Sequence, residues 1–227
     1  MSRLRASLGG VALAGVLVAP ALAGGTVAYD RFQVPETMKI TVGDIAADGK
    51  IPPKFTGDGK NVAPPLHWGE GPAGTKSFVV IVQDPDAPGG EPAVHWVVYG
   101  IPAQIRQLPG NMRNTLEPTN PLGAAQGWNY HGSVGYTGPR PPLGDPPHHY
   151  HFQVFALDRP VKMHPGAQID EVLRAMKGHV IGRGQLVATY EAPKPKDDQP
   201  KGDKSKAGQP QPDPSPQDPP SQDQPRT

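Results

Sequence analysis

The hydrophobic positions of this chain fall in short runs of β-branched and aromatic residues, separated by clusters of Gly, Pro, Asn and Asp. That is the pattern of strands joined by turns. "MKITV" alternates, with Met38, Ile40 and Val42 on one side, as a half-buried strand does. "SFVVIVQ" (Ser77 to Gln83) and "HWVVYGI" (His95 to Ile101) are nearly unbroken apolar stretches, which predicts strands deep in a sheet. "HYHFQVFAL" predicts another, and "GRGQLVATYE" a last one with Leu186, Ala188 and Tyr190 on one face and Val187 and Thr189 on the other. Four core strands are expected. "AQIDEVLRAMKGH" has helical spacing, with Ile169, Val172, Leu173 and Met176 at i, i+3, i+4 and i+7 and Gly178 placed to end it. Such a helix is expected to pack on a sheet edge. The fold class is mainly β, in one domain without internal repeats.

Composition removes both ends from that domain. Arg3 and Arg5 precede an apolar run from Leu8 to Leu22, and "APALAGG" puts small residues at Ala21 and Ala23. This predicts a secretory signal peptide over residues 1–23, cleaved after Ala23, and a periplasmic or secreted protein. The run is interrupted by glycines and a proline and is shorter than the roughly 20 apolar residues of a membrane-spanning helix. From Ala192 to Thr227 there is no Leu, Ile, Val or aromatic residue, so this stretch cannot bury enough apolar surface to offset its ordering entropy. It predicts a disordered tail over residues 192–227 and a folded domain over 24–191.

The chain has no cysteine. Disulfides and a lipid-modified cysteine are therefore excluded, and stability must come from a hydrophobic core. A net charge of +1 gives no reason to expect nucleic-acid binding, which calls for a positive domain with a basic patch.

Chemistry gathers at strand ends. Asp84 and Asp86 follow the first long apolar run, and Pro85 and Pro88 stiffen the turn that carries them. His95 opens the next strand, at the same end if the two strands are antiparallel neighbours. The proline- and glycine-rich stretch "GYTGPRPPLGDPP" runs directly into "HHYHFQVFAL". Alternation there puts His148 and Tyr150 on the side of Phe152 and Val154, facing inward, with His149, His151 and Gln153 opposite and the two histidines facing solvent. An inward His148 and Tyr150 beside a rigid glycine turn make a small concave site for an anion such as phosphate. Protonated His95 and His148 would bind that anion more tightly below about pH 6.5. Two histidines and an aspartate could also supply three zinc ligands, but they lack a metal-site spacing such as HExxH, and neither metal nor cofactor is expected. No GxSxG elbow or comparable nucleophile signature occurs, so the chain reads as a non-enzymatic binding protein, with a metal-dependent hydrolase as the weaker alternative.

"DPDAP", a following "HW", "GPRPP" and "HHYHFQVFAL", in this order, resemble the phosphatidylethanolamine-binding protein family, and more closely its bacterial Raf-kinase-inhibitor-like branch. The resemblance spans about Met38 to Tyr190. It implies a Greek-key β-sandwich with a large antiparallel central sheet, a smaller sheet and a few short helices. It also implies a pocket for small anions and phosphorylated head groups at Asp84, Asp86, His95, Gly138, Pro139, His148 and Tyr150, with Tyr136 as a wall. The family's kinase- and carboxypeptidase-inhibitor members make a protein partner the alternative to a small ligand. Contact with a membrane is expected only through the signal peptide or lipid head groups. The chain departs from the family at His149, where many relatives carry other polar residues, and at its polar tail, where eukaryotic members have a C-terminal helix that helps to cover the pocket.

Overall fold

The computed structural model describes residues 25–47 and 49–193. The expected signal peptide over 1–23 and the tail from 194 onward lie outside them; Ala192, expected in the tail, is buried.

The chain runs through α1 (Ala28–Arg31), β1 (Ile40–Val42), β2 (Leu66–Trp68), β3 (Ser77–Asp84), β4 (Ala93–Pro102), β5 (Gln107–Leu108), β6 (Ala125–Gln126), β7 (His148–Leu157), α2 (Ile169–Met176) and β8 (Val180–Tyr190). β3, β4, β7 and β8 are the four strands expected from the apolar runs. With the short β6 they form a five-stranded antiparallel sheet in the order β6-β4-β3-β7-β8, and β1, β2 and β5 form a second sheet in the order β1-β2-β5. β1 lies within the alternating "MKITV", whereas β2, β5 and β6, of two or three residues, offer too few positions for a period-2 pattern to show.

Both faces of the large sheet are covered, which is why its central strands read as continuous apolar runs. All eight residues of β3 are buried. On the front face Phe78, Val80, Val82, Phe152 and Val154 meet Ile40, Val42, Leu66 and Trp68 of the small sheet and Met38 just before it. On the back face Val79, Ile81, Val97, Phe155 and Leu157 meet Val172 and Met176 of α2. The helix thus lies across the back face, not on a sheet edge as its amphipathic pattern suggested. Its first turn is closed by a capping box between Gln168 and Glu171, and Gly178 follows it with φ +78°, the left-handed conformation that ends helices.

The back face also carries the N-terminal strap, residues 25–36. Two buried side chains hold it: Gln83 Oε1 accepts the Ala28 N–H at 2.8 Å and Gln153 Oε1 accepts the Tyr29 N–H at 2.5 Å. The face of β7 opposite Phe152 is therefore not solvent-facing. Gln153 is buried, and His149 and His151 are half-buried rather than free in water.

Candidate functional site

β3 and β4 are antiparallel neighbours with Asp84 opposite Ala93, and β7 pairs with the other side of β3. The end of β3 and the starts of β4 and β7 therefore lie side by side, which brings Asp84, His95, His148 and Tyr150 to the wall of one cavity of about 180 Å³. Each of the four is almost fully buried.

Their hydrogen bonds fix them. Asp84 Oδ2 accepts from His148 Nδ1 at 2.8 Å, and Asp84 Oδ1 accepts the Asp86 backbone N–H at 2.8 Å, so the buried carboxylate is compensated on both oxygens. His148 Nε2 is 3.5 Å from Asp145 Oδ2. His95 Nδ1 lies 2.8 Å from the Thr137 carbonyl. A carbonyl only accepts, so Nδ1 carries the hydrogen and the neutral ring keeps its lone pair on Nε2. Burial drives the His95 pKa down from 6.5 to about 4, against the weaker opposing pull of the Thr137 carbonyl and Asp84. Around neutral pH His95 is therefore an uncharged ring, and its expected role as a cation below pH 6.5 does not hold. Burial, and then the charge of Asp84, push the Tyr150 phenol well above its ordinary range, so it stays a neutral donor. The Tyr150 ring meets His95 nearly edge-on at 5.1 Å between centroids, and the Tyr130 ring lies 4.9 Å from His95 at a tilt of 54°.

The other expected site residues stand behind this cavity or beside it. Asp86 is not among the residues that line the cavity; its Oδ2 accepts from the His149 backbone N–H at 2.7 Å and from His149 Nδ1 at 2.8 Å. Tyr136 is buried in the front core, its hydroxyl donating to the Phe55 carbonyl at 2.6 Å and its ring set against Trp96. Gly138 donates its N–H to Asn61 Oδ1 at 2.6 Å, and a Cβ on Gly138 would come within 2.4 Å of the Phe55 carbonyl oxygen; this close approach of two backbones requires glycine. The Pro139 carbonyl accepts the Gly57 N–H at 2.8 Å. These residues tie the proline loop to the segment around Phe55 and so hold Arg140, Pro141 and Pro142 against the cavity.

Sequence reasoning did not single out Tyr130 or Arg140, which line the cavity with the four strand residues. Arg140 lay inside the quoted "GPRPP" and was the cation of that motif; Tyr130, in "WNYHG", was an aromatic residue beside glycine in a loop. Arg140 Nε pairs with Asp58 Oδ1 at 3.2 Å, and its side chain is 69 % exposed, so its charge stands at the mouth.

A family model for phosphatidylethanolamine-binding protein matches residues 41–191. The chain belongs to this family. Among similar proteins of the family, the UPF0098 protein YbcL of Escherichia coli is 39 % identical over 164 residues, covering 70 % of this chain and 87 % of YbcL. A UPF0098 protein of Pyrococcus horikoshii is 41 % identical over 157 residues, 69 % of this chain and 78 % of its own length. The candidate lipoprotein LppC of Mycobacterium tuberculosis is 40 % identical over 146 residues, 64 % of this chain and 68 % of LppC. The crystal structure of E. coli YbcL superposes with a TM-score of 0.63 at 35 % identity, covering 69 % of this chain and 99 % of that one. The β-rich architecture of two antiparallel sheets with few helices is thus the family's.

Proposed function

We propose that this protein is an exported binding protein that holds a small anionic or phosphorylated head group in the cavity walled by Asp84, His95, His148 and Tyr150, without transforming it. The observation that supports this most directly is the convergence of four buried polar side chains, three of them held by hydrogen bonds, on one small cavity at the strand ends. Ligand sites are typically concave, with a few placed polar groups among apolar ones. A volume of about 180 Å³ is below the range of about 300–1,000 Å³ for drug-sized ligands and suits a head group rather than a whole lipid. The Arg140 guanidinium supplies positive charge at the mouth, the Tyr150 hydroxyl donates, and His95 Nε2 accepts from a ligand hydroxyl or ammonium. A non-catalytic role is supported by the side chains themselves. His95 holds its proton against a backbone carbonyl, and Tyr150 keeps its own well above neutral pH, whereas general acids and bases titrate near the working pH. Export is supported by the sequence of residues 1–23 and by the relative LppC being a candidate lipoprotein; this chain has no cysteine and so would not share a lipid anchor of that kind.

Calorimetric titration of the full chain with inorganic phosphate and with phosphoethanolamine tests this reading. Saturable binding is expected, weakened about tenfold or more in a folded Tyr150→Phe variant, which loses a hydrogen bond to a charged ligand, and weakened in a folded His148→Gln variant, which loses the ring that holds Asp84 in the cavity wall. No saturable binding in the wild type, or equal affinity in both variants, overturns it.

A further inference from the structure

A larger cleft, of about 500 Å³, lies on the back face of the large sheet between the N-terminal strap and α2. Its apolar surface comes from Phe32 and Val34 of the strap, Leu173 of α2 and Val180 at the start of β8. The strap wall is held in place: Arg183 donates to the Phe32 carbonyl at 2.7 Å and to the Tyr29 carbonyl, and the Phe32 ring sits edge-on against Phe155 at 5.5 Å. Opposite the strap stand Leu173, Arg174 and Lys177, on one side of α2. At Gly178 no atom lies within 4 Å of where a Cβ would be, so this end of the cleft is open.

The rim is cationic. Arg31, Arg174 and Lys177 face a single acid, Asp170. Arg31 reaches a carboxylate, Glu91, only at 3.9 Å, and that carboxylate is 84 % exposed, an arrangement of little energetic weight. The ion pairs found among the described residues use neither Arg174 nor Lys177. Cations in the last turn of a helix complement its dipole, which accounts for Arg174 and Lys177. It accounts neither for Arg31, on the opposite wall, nor for the apolar surface between them.

We propose that this cleft is a second binding site, separate from the strand-end cavity, for a free aliphatic carboxylate, with the chain against Phe32, Val34, Leu173 and Val180 and the carboxylate between Arg31 and Arg174. The charge excess selects an anion, and guanidinium groups match a carboxylate with paired hydrogen bonds. The volume lies within the usual range of small-molecule sites, about 300–1,000 Å³. An open cleft with half-buried Phe32 and Leu173 at its base offers a groove for a single chain; insertion into a bilayer would need apolar side chains that protrude.

The test is NMR titration of the full chain with decanoate below its micelle concentration, beside hexanoate, decylammonium and phospholipid vesicles. Decanoate is expected to shift the amide signals of Phe32, Leu173 and Gly178 saturably, with affinity rising about two- to fourfold for each added methylene from hexanoate. Arg174→Glu, on an exposed position, is expected to weaken decanoate about tenfold or more while leaving phosphate binding as in the wild type. Decylammonium binding as well as decanoate, an Arg174→Glu variant that keeps full decanoate affinity, shifts centred on Tyr150 instead of Leu173, or binding seen only with vesicles would each overturn the proposal. Because phosphate is followed separately, failure of this site and failure of the strand-end site are told apart.

Discussion

The two cavities of this protein are built on the same sheet by opposite means. At the strand ends the walls are strand residues and proline loops, and the charged groups and one nitrogen of His95 have partners within hydrogen-bond distance before any ligand arrives: Asp84 with His148, His95 Nδ1 with Thr137, Arg140 with Asp58. On the back face the floor is apolar and the cations Arg31, Arg174 and Lys177 are exposed, with Arg31 reaching only the Thr26 carbonyl at 3.4 Å and Glu91 at 3.9 Å. Burial explains the contrast. A charge taken out of water must be paired where it stands, so the strand-end site is preorganised by its own desolvation. The exposed cations of the back cleft remain hydrated and need no fixed geometry. The first site should therefore be coupled strongly to folding, and the second hardly at all.

Three measurements sharpen or break that contrast. The largest effect is expected for His148→Ala, which leaves the buried Asp84 carboxylate without its side-chain partner; chemical denaturation should show a loss of about 3–5 kcal/mol. A loss below about 1 kcal/mol would mean that water or local rearrangement compensates Asp84, and that burial does not organise the site.

The second effect is a pH dependence. His95 titrates near 6.5 when unfolded but at about 4 in the fold. Below pH 6.5 the unfolded chain takes up a proton that the folded site refuses. The contribution of His95 to stability is thus complete above pH 6.5 and is lost as pH falls through 4, about 3 kcal/mol in all. His95→Gln, compared by denaturation at pH 7 and pH 4, should show a smaller fall in stability than the wild type. Equal slopes would place the titrating group elsewhere. By the same argument, His95 gives no increase in anion affinity between pH 8 and pH 5.

The smallest effect is expected at the back cleft. Arg174→Ala should change stability by no more than about 0.5 kcal/mol, as for exposed positions outside any network. A larger loss would show that the cation is part of the fold's own structure and not a free rim group.

Much of this architecture was legible in the sequence. The four long strands could be read because strands buried on both faces must be apolar throughout, and β3 and β4 are. The inward set His148, Tyr150, Phe152 and Val154 followed from the two-residue period of a strand, and all four are buried on the front side. The opposite face of β7 was read less well. His149 and His151 looked solvent-facing, yet they are half-buried and Gln153 beside them is fully buried; its partner, the backbone of Tyr29, is 124 residues away and leaves no local sign. Asp84 and Asp86 were both candidates beside Pro85, yet only Asp84 lines the cavity and Asp86 binds His149.

The sequence by itself determined which segments become strands and at which strand ends the acids and imidazoles stand, because hydrophobic period and chain connectivity are local properties. It also determined, through the order of its motifs, the family to which the chain belongs. Only the tertiary structure decided which oxygen meets which ring nitrogen, that the Arg140 loop closes over the cavity through contacts with Phe55 and Asn61, and that the strap and α2 leave a cationic cleft between them. Those outcomes depend on differences of a few tenths of an ångström between segments far apart in the chain. Hydrogen bonding, which weakens steeply with distance and angle, selects its partners only after the sheets have packed.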